Sequence, residues 1–203
     1  MTVPANWPAD QAWESSWWGD CINTYQEEQK QLECATRMGL TAISRDGRWP
    51  VYDLKGVSVL DVGGGPVSML LKTVNRGLCR VVDPCAYPDW VARRYLAAGI
   101  DVRQQPAEDY DDPQVFDEAW IYNCLQHVQD PQAVLAAIRP RVHLIRLFEW
   151  LDVPAQIGHP HVLTEVSMNA WLGDEGFVHQ RSTTGWLGRS YSGVFLGHAT
   201  VTR

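Results

Sequence analysis

The chain has 203 residues, with 24 acidic against 17 basic side chains and a formal net charge of −7. That length fits one domain with a sizeable core, or a domain with an extension, and an apolar content of 45% with mixed charge excludes a disordered chain. The acidic balance gives no general attraction to phosphate backbones, which leaves a local basic patch as the route to nucleic acid.

The first residues, MTVPANWPADQAW, lack a basic region followed by an apolar core, so no secretory signal is expected. No run approaches the roughly 20 apolar residues that span a bilayer. Cys21, Cys34, Cys79, Cys85 and Cys124 are scattered, odd in number and without a C-x-x-C pair. Neither a disulfide framework nor a zinc site is indicated, and reduced thiols in a cytoplasmic protein are expected.

In chain order, residues 1–50 alternate aromatic and polar groups: Trp7, Trp13, Trp17, Trp18, Tyr25 and Trp49. Thr24 followed by Glu27 predicts a capping box on a helix running to about Met38, ended by Gly39. From residue 57, short apolar runs alternate with helical patterns. A strand over 57–62 leads to a predicted helix over 66–76, where Val67, Leu70, Leu71 and Val74 share one face and Pro66 suits the first turn. A strand over 79–83, a helix near 88–98 and a weaker strand over 101–104 follow.

The strand predicted over 116–122 is less apolar at DEAW than a central strand usually is. Asp130 and Pro131 then open a helix with Val134, Leu135 and Ile138 inward, stopped by Pro140. A strand over 142–148 and a helix within 161–172 precede two β-rich runs, about 177–182 and 190–201. The five β-α alternations imply a parallel sheet with helices on both faces, closed by a terminal hairpin at one edge.

The stretch VSVLDVGGGPVSMLL crosses from strand to helix through glycines, which lets backbone approach a ligand at the carboxyl end of a sheet. Gly63 and Gly65 fit the first two positions of the dinucleotide fingerprint G-x-G-x-x-G, but the third falls on Ser68. A nucleoside ligand without a pyrophosphate needs the close approach and not the full phosphate cradle. Asp83 ends the second strand, where a carboxylate is either an acceptor for both ribose hydroxyls or a strand-end cap beside Pro84.

The order LDVGGGP, VVDP and FDEAWIYNCLQHVQDP resembles the class I S-adenosylmethionine-dependent methyltransferases, over about residues 57–150. The resemblance implies a Rossmann-like α/β three-layer sandwich: a seven-stranded, mostly parallel sheet, its last strand antiparallel, with an N-terminal helical extension. On that pattern residues 1–50 would form a helical cap or lid and residues 51–203 the methyltransferase-like domain. Asp61, Gly63, Gly64 and Gly65 would line the methionine part of S-adenosylmethionine and Asp83 its ribose. Ala107 and Glu108 would lie at the adenine, and Asn123 beneath the sulfonium. Strand four ends in Asn-Cys-Leu, without the Pro-Pro-aromatic turn of enzymes that methylate exocyclic amines of bases.

Methyl transfer needs alignment, and a base where the acceptor carries a proton. His127 is either that base, with an ordinary pKa of ~6.5, or a structural histidine on a loop carbonyl. Glu149 either orients an acceptor hydroxyl or amine, or pairs with an arginine such as Arg146. Trp150, His159 and His161 are candidate acceptor contacts. The GHPH pair lacks matched donors to complete a metal site, so no metal is expected. The N-terminal aromatics either pack on the sheet or close over the ligand, and Tyr25 is the expected cofactor contact from that segment. The expected activity is methylation of a small-molecule oxygen or nitrogen. The alternatives are a nucleic-acid or protein methyltransferase, a non-catalytic binding subunit, or a nicotinamide dehydrogenase.

Overall fold

A computed structural model of the chain describes residues 7–46, 49–181 and 188–199. Residues 1–6 and 47–48 of the predicted N-terminal segment, and residues 182 and 200–201 of the two terminal β-rich runs, lie outside the described residues. The elements in order are α1 (Trp7–Trp18), α2 (Tyr25–Arg37), β1 (Ala42–Asp46), β2 (Trp49–Asp53), β3 (Val59–Val62), β4 (Thr73–Val74) and β5 (Cys79–Val82). They continue as α3 (Asp89–Ala97), β6 (Asp101–Arg103), β7 (Phe116–Tyr122), α4 (Pro131–Ile138), β8 (Val142–Leu151), α5 (Glu165–Leu172), β9 (Phe177–His179) and β10 (Arg189–Leu196).

Seven strands form the main sheet in the order β6-β5-β3-β7-β8-β10-β9. The first five run parallel, while β10 is antiparallel to both β8 and β9. The expected α/β architecture and terminal hairpin are therefore present. Strands β3 and β5 are buried throughout, as a parallel sheet covered on both faces requires. One core cluster lies between the sheet and α4 and α5, and includes Val134, Leu135, Ile138 and Met168. The other contains Met38, Met69, Leu70, Tyr95 and Trp120 on the opposite face. Asp130 caps α4 by accepting from the amides of Gln132 and Ala133, with Pro131 in the first turn. No helix among the described residues is long and apolar enough to cross a membrane.

The predicted helix over 66–76 does not form. Two single turns of 3₁₀ helix, Gly65–Val67 and Met69–Lys72, flank an extended Ser68 (φ −45°, ψ 144°). The chain then enters β4, which pairs in parallel with β2 beside β1 in a second, three-stranded sheet. An α-helix would send the Ser68 and Met69 amides to carbonyls four residues back. Instead the Ser68 amide donates to the Tyr95 hydroxyl at 2.9 Å, and the Met69 amide to the Tyr122 hydroxyl at 3.1 Å. Val74, expected on the buried face, is consequently exposed.

Two smaller expectations also give way. Helix α2 begins beside Thr24 as predicted, but the Thr24 hydroxyl donates to Glu28 Oε2 at 3.3 Å and makes no backbone cap. Arg146 pairs with Glu118 (2.7 and 2.8 Å), leaving Glu149 to another task. Of the two acidic residues in the DEAW strand, Asp117 is exposed and Glu118 is buried, and the guanidinium from β8 provides the charge that this burial demands.

Buried carboxylates hold the loops at the strand ends. Asp61 is fully buried beneath the glycine loop, accepting from the Ser68 and Tyr122 hydroxyls. Glu149 Oε1 accepts from the amides of Cys124 (3.0 Å) and Leu125 (2.9 Å), pinning the turn after β7. Burial pushes the pKa of each up to about 7. Gly63 (φ +69°) leaves no room for a side chain, because a Cβ there would lie 2.3 Å from Cys124 Sγ.

Two outcomes follow. Gly63→Ala should cost more than ~2 kcal/mol in urea unfolding, combining left-handed strain with overpacking. Gly99→Ala has the same φ of +69° but nothing within 4 Å, so it should cost no more than ~1 kcal/mol. For Glu149, a carboxyl whose pKa is raised by folding stabilises below its unfolded pKa and loses that contribution as pH rises through about 7. Glu149→Gln should therefore gain stability over the parent between pH 5 and pH 8, on the order of 1–3 kcal/mol. Melting curves at both pH values check this, and a constant difference between the two proteins would refute it.

Candidate active site

The carboxyl ends of β3, β5, β7 and β8 face a cavity of about 430 Å³. A parallel sheet opens such a crevice where its strand order reverses, here at β3 between β5 and β7. The loop after β3 supplies Gly63 and Gly65, and the end of β5 supplies Asp83, Pro84, Cys85 and Tyr87. Asn123, Cys124, Gln126, His127 and Val128 come from the turn after β7. The end of β8 and the segment beyond it add Trp150, Val153, Gln156 and His159. The remaining wall is helical: Trp7, Gln11, Trp13, Glu14, Trp17 and Trp18 from α1, with Glu27 and Lys30 from α2.

Asp83 is both a turn cap and a cavity residue. Its Oδ2 accepts from the Gly65 amide at 3.0 Å, and its Oδ1 accepts from the Cys85 amide and the Tyr87 hydroxyl, both at 2.9 Å. Three of about four lone-pair sites are thus occupied, and one acceptor site is left. Burial raises its pKa, against the lowering effect of those donors. Gly65 (φ +63°) lies under Trp18, whose ring would be 3.3 Å from a Cβ at that position. Asn123, itself at φ +52°, turns the chain out of β7, and its side-chain carbonyl accepts from Gln126 at 3.1 Å.

Other expected contacts lie elsewhere. Asp61 is set back under the loop, and Gly64 faces it: a Cβ on Gly64 would be 2.8 Å from Asp61 Oδ2. Ala107 is buried in the core, and Glu108 Oε1 accepts from the amides of Gln129 (2.7 Å) and Asp130 (3.1 Å) ahead of α4. Neither lines the cavity. Tyr25 also stands outside the lining, its ring against Trp49 and its hydroxyl accepting from Gln29 at 2.7 Å. The packing surface of Trp49 draws it to the β1–β2 side. His161 Nε2 donates to the carbonyls of Val128 and Gln129, outside the lining, and Glu149 serves the backbone turn rather than the cavity.

His127 and His159 do meet at the cavity, their ring centroids 4.3 Å apart and edge to face. His159 is pulled down to about pKa 4, first by burial and then by His127. For His127, burial lowers the pKa, but Glu14, Glu149 and the Gly158 carbonyl together more than compensate, so the net shift is upward. Glu14 Oε1 lies 2.6 Å from His127 Nδ1. Sequence reasoning missed Glu14 altogether. The available signal was the spacing of Asp10, Glu14, Trp13 and Trp17, which places two carboxylates and two indoles along adjoining faces of one helix. The Trp13 and Trp17 rings are stacked at 5.7 Å.

No protein-family model matches the chain, and no curated protein matches it in sequence. Solved structures do match it. A Burkholderia thailandensis 1,6-didemethyltoxoflavin-N1-methyltransferase, with bound 1,6-didemethyltoxoflavin and S-adenosylhomocysteine, is 16% identical with a TM-score of 0.67, covering 97% of this chain and 91% of that one. The DhpI–SAH complex is 15% identical, with a TM-score of 0.61 over 96% of this chain and 97% of that one. The N-methyltransferase NodS from Bradyrhizobium japonicum WM9, in complex with S-adenosylhomocysteine, is 12% identical with a TM-score of 0.57 over 97% and 99%. At such identities the likeness is one of fold alone, a Rossmann-like fold that these methyltransferases share.

Proposed function

We propose that the chain is an S-adenosylmethionine-dependent methyltransferase acting on an oxygen or nitrogen of a small molecule. The observation that carries this reading is the cavity itself. It has glycine backbone and Asp83 at one side, and the imidazoles of His127 and His159 at another. The residues present suit the cofactor. Gly63 and Gly65 expose backbone at the cavity, where a side chain would intrude, and Asp83 keeps an acceptor site suited to a ribose hydroxyl. Trp18 and Tyr87 supply flat surfaces beside them.

The bound cofactor would supply a methyl group on a sulfonium, open to in-line attack. The chain's own residues have the remaining work. The aromatic wall from α1 and Trp150 excludes water and holds an acceptor by stacking. Asn123 and Gln126 offer side-chain amides that can orient it. His127 takes the proton from the acceptor's O–H or N–H.

A small molecule is favoured over nucleic acid by the walls of the cavity. Lys30 is the one Lys or Arg among its described lining residues, beside Glu14, Glu27 and Asp83. Four tryptophans from α1 suit a ligand small enough to be enclosed. The 1,6-didemethyltoxoflavin bound in the Burkholderia thailandensis structure is a precedent for that size class. We take the protein to act in the cytoplasm.

Calorimetry with S-adenosylhomocysteine tests the assignment. Asp83→Ala should weaken binding at least tenfold, ~1.4 kcal/mol, with the fold retained by circular dichroism. Parent-like affinity in that variant would remove Asp83 from the site. Absence of binding to the parent protein would remove the function.

A further inference from the structure

His127 Nδ1 donates to the Gly158 carbonyl at 2.7 Å, and Glu14 Oε1, a buried oxygen without a hydrogen bond of its own, lies 2.6 Å from the same nitrogen. A carbonyl accepts and never donates, so Nδ1 carries the proton and Nε2 is the lone-pair nitrogen. Near Nε2 lies the Gln126 side-chain nitrogen, a donor, at 3.3 Å. The turn that presents the Gly158 carbonyl is itself gripped by α1. The Gly158 amide donates to the buried Asp10 carboxylate at 2.8 Å. Trp13 closes on the same glycine, such that a Cβ there would lie 2.2 Å from the indole. Asp10, Trp13 and Glu14 thus reach one turn and one imidazole from a single helix.

Glu14, His127 and His159 place donor atoms within 4.8 Å of one another, a set that also suits a divalent cation. The distances favour a proton. Two ligands about 2.0–2.2 Å from a tetrahedral ion lie ~3 Å or more apart, whereas Glu14 and His127 are 2.6 Å apart.

We propose that Glu14 is a positioning residue for His127, placed to pair with its imidazolium while the Gly158 carbonyl keeps the proton on Nδ1, and that docking of α1 thereby couples enclosure of the cavity to readiness of the base. The catalytic part of this inference rests on the methyltransferase reading. In the step concerned, the acceptor's O–H or N–H bond breaks, Nε2 gains the proton, and the resulting imidazolium is paired with the Glu14 carboxylate until the proton passes to water. The groups facing His127 are Glu14 from α1, Gln126 beside it, Glu149 from β8, and His159 from the following turn. Glu149 adds to the upward shift of His127, and the neighbouring imidazole of His159 stays neutral near pH 7.

The test uses the full chain saturated with S-adenosylhomocysteine and carrying ¹⁵N-labelled histidine, with His127 assigned through His127→Asn. The parent should show the Nδ1–H tautomer and a midpoint above that of free histidine. Glu14→Gln should lower the midpoint by about one pH unit or more with the Nδ1–H tautomer retained, and Glu14→Asp should restore part of the shift. The methyl-transfer arm uses S-adenosylmethionine and a panel of small phenols and heteroaromatic amines. The rising limb of kcat against pH should move to lower pH with the His127 midpoint in Glu14→Gln, kcat at high pH should fall at least tenfold, and KM for S-adenosylmethionine should stay within twofold.

An unchanged midpoint in Glu14→Gln would overturn the inference, as would a pH limb that does not move. Stoichiometric Zn²⁺ binding lost in both Glu14→Gln and His159→Asn would overturn it in favour of a metal site. Failure of the parent to bind S-adenosylhomocysteine would instead count against the proposed function, because the His127 titration can be repeated on the unliganded protein.

Discussion

The glycine loop depends on one buried carboxylate. Asp61 has no solvent exposure, and its Oδ2 gathers the hydroxyls of Ser68 and Tyr122. A buried acid with so few partners costs stability, which is why burial lifts its pKa to about 7 despite both donors. The return on that cost is positional. Tyr122 passes the constraint to the Met69 amide, and Tyr95 joins the Gly65 carbonyl to the Ser68 amide. The loop is therefore held from below by side chains of β3, β7 and α3. Its upper side, Gly63 and Gly65, is left as bare backbone facing the cavity.

The same constraint explains where sequence reasoning succeeded and where it did not. Strand β7 was legible to the residue, and β3 and β5 nearly so, because buried parallel strands carry their signal in their own apolar runs. Residues 66–76 also had an apolar helical period, and it misled. The competitors for their amides are tyrosines 27 and 53 residues away along the chain, which no local pattern contains. Val67 and Leu70 are buried as the period implied, but in 3₁₀ turns rather than on one face of a helix.

The site divides along similar lines. Gly63, Gly65, Asp83 and Asn123 sit at strand ends, and a motif fixes strand ends, so their convergence could be read in one dimension. Glu108 and Glu149 are acidic residues at the right positions, yet each spends an oxygen on two backbone amides of a neighbouring turn. Scaffold and ligand contacts use the same residue types, so composition cannot separate them. Glu14 was missed for a different reason. Its partner is 113 residues distant, and the contact exists only because Asp10 and Trp13 seat the same helix on the Gly158 turn.

The segment joining the two N-terminal helices has a mechanical consequence. Helix α2 is bound firmly to the body: Gln31 donates to the Val67 carbonyl at 2.8 Å, and Lys72 reaches Gln31 at 2.6 Å and Glu28 at 3.1 Å. Helix α1 grips a different part of the molecule, the turn beyond β8. Between them Gly19 (φ +51°) and Cys21 (φ +61°) both adopt the left-handed conformation within three residues. Positive φ at both positions turns the chain sharply, and the buried Cys21 ties that corner to the core beside Trp18. The wall of the cavity is thus a beam clamped at two places, at the Gly158 turn and at this corner, and its four tryptophans are held by contacts that lie outside the ligand space.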